Sequence, residues 1–192
     1  MPTTIAIVVG GGTGSRFGGD TPKQYQSLAG VPIFRRALAA FADHPAVDDV
    51  QAVIGAADAE RFAAACGDLP IRPPVEGGTS RSASVRAALD ALAGDAPARV
   101  LVHDAARPLP SAALIARVVA ALEQEAAVVP GAAVRDTLKR APAGLIEATI
   151  DRTGLVAVQT PQGFAFDLLR EAHARGDDAT DDAGLVERLG VP

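Results

Sequence analysis

IAIVVGGGTGSRFGGDTPKQ, residues 5–24, divides into a short apolar run and a glycine-rich loop. Ile5 to Val9 are apolar, mostly β-branched and bounded by glycine, which predicts a fully buried strand. Gly10-Gly11-Gly12-Thr13-Gly14-Ser15 then breaks the strand. Small residues there leave room for a large ligand, and glycine reaches φ > 0 without steric cost. In such a loop several backbone N–H groups can converge on one anion, the physical basis of a phosphate cradle. Arg16 and Lys23 follow, held in loop by Gly18, Gly19 and Pro22. A glycine loop with two cations, directly after a buried strand, predicts a polyphosphate site.

Two common polyphosphate loops do not fit. A P-loop ends in Gly-Lys-Ser/Thr, and Gly14-Ser15-Arg16 does not supply it. The dinucleotide pattern GxGxxG fails at Ser15 when counted from Gly10 and at Phe17 when counted from Gly12. What remains, GGGTGSRF followed by PKQ, resembles the nucleotidyltransferases that activate sugar or polyol phosphates with a nucleoside triphosphate. Among 18 basic residues only Lys23 and Lys139 are lysine. A chain that otherwise uses arginine has at residue 23 a compact charge on a flexible stem, which suits a phosphate.

Beyond the loop, Ile33, Phe34, Ala37, Leu38 and Phe41 recur at helical spacing and predict a helix to about Ala42. Val50 to Ile54 predicts a second buried strand, and Asp58 a cap for a helix over Ala59 to Cys66, ended by Gly67. Leu69 to Val75 holds three prolines and reads as an extended edge piece. Glu76 to Ser80 opens a helix with Val85, Ala88, Leu89 and Leu92 inward. Arg99 to Val102 is a third strand running into His103-Asp104-Ala105-Ala106-Arg107-Pro108. Ser111 caps a helix carrying Leu114, Ile115, Val118, Val119 and Leu122 as a stripe, and Ala126 to Val129 follows as a buried strand. This alternation predicts an α/β fold: an open, mostly parallel, Rossmann-like sheet flanked by helices.

From Ala132 the rhythm changes. Val134 to Lys139 and Leu145 to Ile150, around a turn at Pro142-Ala143-Gly144, read as two antiparallel strands. Leu155 to Gln159 reads as a further strand that Thr160-Pro161-Gln162-Gly163 breaks. Helices follow over Ala165 to Ala174 and Ala183 to Leu189. An inserted hairpin has little core of its own. Residues 132–155 are therefore expected to protrude as a β-arm and to pair with a second subunit.

At 192 residues one domain, residues 1–192, is expected, and a chain of this length buries roughly 70% of its unfolded surface. The composition is 48% hydrophobic but only 4% aromatic, so the core is aliphatic. A net charge of -5 offers no basic stripe for nucleic acid. The lone Cys66 excludes an intramolecular disulfide and a cysteine metal site. No targeting segment or ~20-residue apolar span is visible, and the expected compartment is the cytoplasm.

Asp104 ends a predicted parallel strand, where ligands of open α/β sheets bind, so it and the Gly10 loop should face one crevice. A carboxylate beside a triphosphate suggests Mg2+, held directly or through water; pairing with Arg107 is the plain alternative. His103 reads as a packing residue at a strand end. Glu76 to Ser84 is a second glycine turn onto a helix N-terminus, able to hold an anion or the edge of a base, or simply to cap the helix. Thr180-Asp181-Asp182 reads as an acidic helix start.

Together GGGTGSRF and TPKQY, EGGTSRSASV, HDAARP, VRDTLKR, TIDRTGLVAVQTPQGF and TDDA resemble, in order, the 2-C-methyl-D-erythritol 4-phosphate cytidylyltransferases of the non-mevalonate isoprenoid pathway. The resemblance implies a nucleotidyltransferase fold of the glycosyltransferase-A-like kind. It implies that Arg16 and Lys23 stabilise the transition state at the α-phosphate of CTP, and that Gly11, Gly12, Thr13, Gly14, Gly78, Ser84, Asp104 and Ala105 bind CTP. Asp104 would lie by the metal. Thr137 and Arg152 on the arm would reach the polyol phosphate in a homodimer partner's site, with Thr160 nearby. The family continues into a last strand with a lysine that positions the acceptor, whereas this sequence stops at Val191-Pro192. A shortened chain or a piece of a fusion fits that ending, and weaker acceptor binding is expected without the lysine. A cytidylyltransferase for another polyol phosphate, such as ribitol 5-phosphate, and a CTP-binding module without turnover are the alternatives.

Overall fold

The computed structural model describes residues 2–12 and 21–191. In chain order, β1 (Thr4–Val9) is followed by a short hairpin of β2 (Ser27–Leu28) and β3 (Val31–Pro32), and by α1 (Ile33–Ala42). Next come β4 (Asp49–Ile54), α2 (Ala59–Cys66), β5 (Val75–Glu76), α3 (Arg81–Ala91), β6 (Arg99–Asp104) and α4 (Ala112–Ala121). Then follow the short strands β7 (Ala127–Val128), β8 (Gly131–Ala133), β9 (Leu138–Arg140), β10 (Ala148–Ile150) and β11 (Val156–Val158). β12 (Gln162–Ala165), α5 (Phe166–Ala174) and α6 (Asp182–Glu187) complete the described elements.

Six strands form one sheet in the order β5-β4-β1-β6-β12-β7. β5, β4, β1 and β6 run parallel, and β12 is antiparallel to both of its neighbours. The chain leaves β1 toward β4 on one side and returns to β6 on the other. The strand order therefore reverses between β1 and β6, and their carboxyl ends open a crevice.

The period of two along β1 distributes its side chains to two cores. Ala6 and Val8 face α1, α2 and α4, against Phe34, Phe41, Phe62 and Ile115. Ile5 and Ile7 face α3, α5 and α6, against Val85, Leu89, Leu169 and Leu185. Both faces of the strand are thus covered, which explains its unbroken apolar sequence. Phe34, Leu38 and Phe41 on α1 are fully buried, each contributing roughly 1.5–3 kcal/mol. Ser80 and Ser111 cap α3 and α4, their hydroxyls accepting from Ala83 N (3.1 Å) and Leu114 N (3.2 Å). Among the described residues no helix is long and apolar enough to cross a membrane.

The inserted arm is a ribbon in two tiers. β8 pairs antiparallel with β11 at its base, and β9 with β10 toward its tip. The tip turns through Ala143 (φ 52°) and Gly144 (φ 81°), left-handed positions where glycine is at ease. The expected Leu155–Gln159 strand is present, but its partner is Gly131–Ala133, which its small residues did not announce. The paired strands span residues 131–158 rather than 132–155. Most of the arm is exposed, including Leu145 at 76% and Ile146 at 71%.

Two further expectations change. Residues 160–163 do not only break a strand: Gln162 and Gly163 begin β12, which lies in the sheet beside β6. The Ala126–Val129 strand is only half-buried, as β7, at the sheet edge beyond β12. QGFA is too short and too polar at its start to show a period, so its place is set by packing. Phe164 is fully buried, and a Cβ on Gly163 would meet Leu122 at 2.7 Å and Val118 at 2.8 Å.

Candidate active site

Three loops leave the sheet side by side at its carboxyl edge. Gly10 N donates to Val53 O at 2.8 Å, Ala105 N to Val9 O at 3.0 Å and Gly77 N to Ile54 O at 2.8 Å. Between them lies a cleft of about 580 Å³. Gly11, Gly12, Lys23, Gly78, Ser84, Asp104 and Ala105, all expected at a nucleotide site, line it together. Arg16, Thr13 and Gly14 lie outside the described residues.

The glycines do different jobs. None of Gly10, Gly11 and Gly12 is left-handed, so here space, not positive φ, is what glycine supplies. A Cβ on Gly10 would lie 2.5 Å from the Phe34 ring, so residue 10 is glycine for packing. Among the described residues a Cβ on Gly12 meets nothing within 4 Å, and its missing side chain leaves the cleft open. On Gly78 a Cβ would meet that of Ala83 at 2.5 Å, drawing the second glycine turn onto α3. The Ser84 hydroxyl donates back to Ser80 O at 2.9 Å. Gln24 braces the first loop, its Nε2 donating to Gly10 O (2.7 Å) and Gly12 O (3.1 Å). That places Lys23, in the same short 3-10 turn, at the cleft wall.

A second, smaller cavity of about 240 Å³ lies beyond Asp104, with Thr160 and Gln159 in its wall. Arg81 and Asp104 line both cavities. Asp104 Oδ1 accepts from Arg81 Nε and Oδ2 from Arg107 Nε, each at 3.2 Å. The ion pair with Arg107, the plain alternative for Asp104, therefore exists, and Arg107 also donates to Gln159. Arg81 Nη1 donates at 2.7 Å to Oδ2 of Asp182, whose Oδ1 accepts from His173 Nε2 at 2.9 Å. Burial alone would push the Asp182 pKa up; the His173 hydrogen bond and the Arg81 charge outweigh it and hold the carboxyl below its ordinary value. For Arg81 burial works against the charge, and Asp182 and then Asp104 more than offset it.

His103 is buried against Phe41, ring centroids 5.0 Å apart. Its Nε2 lies 2.8 Å from the Arg107 carbonyl and its Nδ1 2.9 Å from the Thr160 hydroxyl. Burial lowers its pKa, so the neutral ring anchors the Asp104 loop and Thr160. It is a satisfied packing residue, as its place at a strand end suggests.

Thr137 and Arg152 line neither cavity. Both are exposed on the arm, where Arg152 donates to the carbonyls of Val134 (3.2 Å) and Arg135. Sequence reasoning missed Gln24, Arg81 and Asp182. Arg81 and Asp182 lie 101 residues apart, and TDDA is only half a helix start: Asp181 caps α6 through Gly184 N (3.1 Å), whereas Asp182 turns inward.

Among the described residues no group of three or more His, Cys, Asp or Glu side chains forms a metal cage. Asp104 is the one carboxylate lining the larger cleft among them. That donor set suits a Mg2+ carried by the nucleotide, which keeps waters and phosphate oxygens and takes only one or two carboxylates.

Comparison with known proteins agrees with the fold. The family model for 2-C-methyl-D-erythritol 4-phosphate cytidylyltransferase matches residues 4–192. The chain is 49% identical over 193 residues to a bifunctional enzyme IspD/IspF of Rhodospirillum rubrum, covering 99% of this chain and 50% of that protein. The chain thus spans about half the length of the curated relatives it matches. A crystal structure of a 4-diphosphocytidyl-2C-methyl-D-erythritol synthase superposes with a TM-score of 0.86 at 33% identity, over 100% of this chain and 87% of that one. The 2-C-methyl-D-erythritol 4-phosphate cytidylyltransferase of Thermus thermophilus gives 0.81 at 35% identity, over 100% and 86%.

Proposed function

The chain belongs to the 2-C-methyl-D-erythritol 4-phosphate cytidylyltransferase family, and from that premise we propose that it transfers CMP from CTP to 2-C-methyl-D-erythritol 4-phosphate. The products are 4-diphosphocytidyl-2-C-methyl-D-erythritol and pyrophosphate. The observation that carries the reading is the pair of cavities sharing the Arg81–Asp104 wall at the sheet's switch point. One holds the nucleotide between the glycine loops and the other the acceptor, and the reacting phosphates meet at the common wall.

The acceptor's phosphate oxygen attacks the α-phosphorus of CTP in line with the departing pyrophosphate. Two anions must approach, so positioning and cation stabilisation supply most of the catalysis and no strong base is needed. Lys23, with Arg16, meets the charge that grows on the α-phosphate. Gly11, Gly12, Thr13, Gly14, Gly78, Ser84 and Ala105 frame CTP. Asp104 would hold Mg2+, which when bound neutralises triphosphate charge; Asp104 would then exchange one guanidinium contact for the ion or its water. Thr160 belongs to the acceptor side, with Thr137 and Arg152 arriving from a twofold partner through the arm. The reading makes the chain a single nucleotidyltransferase domain acting as a homodimer in the cytoplasm, where CTP is available.

The test is pyrophosphate release from CTP, ATP and GTP with a panel of polyol phosphates. CTP with the methylerythritol phosphate should be preferred, and equal turnover with ribitol 5-phosphate or with ATP would refute the assignment. Lys23→Ala should lower kcat on the order of a hundredfold or more with little change in CTP affinity, since transition-state charge is what Lys23 meets.

A further inference from the structure

Asp182 sits on the first turn of α6 at 1% exposure. Capping does not need it there, because Asp181 already caps the helix. Both Asp182 oxygens turn inward, one to His173 (2.9 Å) and one to Arg81 Nη1 (2.7 Å). Arg81 meets Asp104 only through Nε, at 3.2 Å, and its Nη2 has no hydrogen-bond partner among the described residues.

A buried ion pair is weak evidence of stabilisation, since well-packed apolar residues often serve as well. This one does something apolar residues cannot. Two carboxylates compete for one guanidinium, and a bidentate Arg–carboxylate fork is the strongest geometry open to it. By holding Nη1, Asp182 tethers the guanidinium in a setting where only Nε meets Asp104 and Nη2, the other half of a side-on fork, is kept off it. His173 in turn fixes the Asp182 carboxylate by occupying its other oxygen.

We propose that Asp182 is a positioning residue for the transfer reaction. Acting through Arg81, it keeps the guanidinium in the wall between the two cavities and stops it from closing bidentately on Asp104. This rests on the cytidylyl-transfer reading. With Asp182 gone, Arg81 closes onto Asp104, which loses its freedom to serve nucleotide and metal, and the guanidinium charge in the shared wall is spent on that carboxylate.

The test is a double-mutant cycle on the whole 192-residue chain, read by pyrophosphate release and by crystal structure. Asp182→Ala is expected to lower kcat about tenfold or more while the KM for CTP moves less than about threefold. In an Arg81→Gln background the same change should cost less than about twofold further, because its route of action is already cut. A structural role alone would multiply the two losses. Should Asp182→Ala fail to fold, Asp182→Asn keeps the volume and is expected to shift kcat in the same direction. The crystal structure of the variant should show two Arg81 nitrogens on Asp104. An unmoved guanidinium overturns the proposal, as does a kcat within twofold of wild type. If the unmodified chain releases no pyrophosphate, the cytidylyl-transfer reading falls, while the position of Arg81 in the variant still decides for or against the role of Asp182.

Discussion

The Thr160 hydroxyl lies 2.9 Å from Nδ1 of His103, and the direction of that hydrogen bond is fixed from the far side of the ring. His103 Nε2 faces the Arg107 carbonyl at 2.8 Å, and a carbonyl only accepts, so Nε2 carries the proton. In the buried neutral ring Nδ1 is then the acceptor, and Thr160 donates to it. Its remaining lone pairs are left for a donor such as a substrate hydroxyl. Thr160→Val should strand Nδ1 and cost about 1–3 kcal/mol in denaturant unfolding. On the proposed reading it should also raise the acceptor KM about tenfold, with the KM for CTP unmoved. Thr160→Ser should restore both. A valine variant as stable and active as wild type would show the hydroxyl to be idle.

Gly10 and Gly12 give opposite predictions two residues apart. An added Cβ at residue 10 runs into Phe34 at 2.5 Å, whereas at residue 12 it meets nothing within 4 Å among the described residues. Gly10→Ala should therefore lower stability by about 1–3 kcal/mol, the usual cost of overpacking. Gly12→Val should leave the melting temperature nearly unchanged but weaken CTP binding about tenfold or more by calorimetry, because the side chain enters the cleft. Equal effects of the two on stability would contradict this division.

The pattern of what could be read follows the range of the interactions. Ile5–Val9, the glycine loop and HDAARP announce themselves locally, because a buried parallel strand and its loop carry their signals in consecutive residues. The nucleotide-side residues expected from sequence, among those described, do converge on one cleft. Gln24 escaped because its partners are backbone carbonyls of Gly10 and Gly12, which no side-chain pattern reveals. Arg81 and Asp182 escaped because their bond spans 101 positions. β12 escaped because four residues of mixed character take their state from β6 beside them, not from their own propensity.

Cys66, fully buried on α2, should report on unfolding. Burial pushes its thiol from 9.0 up to about 11. The protonated thiol is the form the fold prefers, so its contribution to stability is complete below pH 9.0 and is lost as pH rises toward 11. At pH 8 a thiol so shifted holds about a hundredfold less thiolate than an ordinary one. Native protein should resist iodoacetamide at pH 8 and react stoichiometrically once unfolded in guanidinium chloride. Rapid labelling of the native protein would show that α2 opens readily.

The arm carries the last prediction. Leu145, Ile146 and Val156 are 76%, 71% and 60% exposed on a ribbon of two-strand tiers. So much apolar surface on so thin a support favours a cover, and the proposed twofold copy of the same ribbon would cover it symmetrically. If Arg152 then serves the neighbouring site, Arg152→Ala should raise the acceptor KM and leave CTP binding nearly intact. Mixing Arg152→Ala with Lys23→Ala subunits separates sharing from self-supply. In a mixed dimer with shared sites both lesions fall in one site and the other is whole, so random exchange restores activity toward about a quarter of wild type. If each chain used its own Arg152, every site would carry one lesion and nothing would return. Absence of recovery, with subunit exchange confirmed by mass spectrometry of tagged chains, would rule out the shared site.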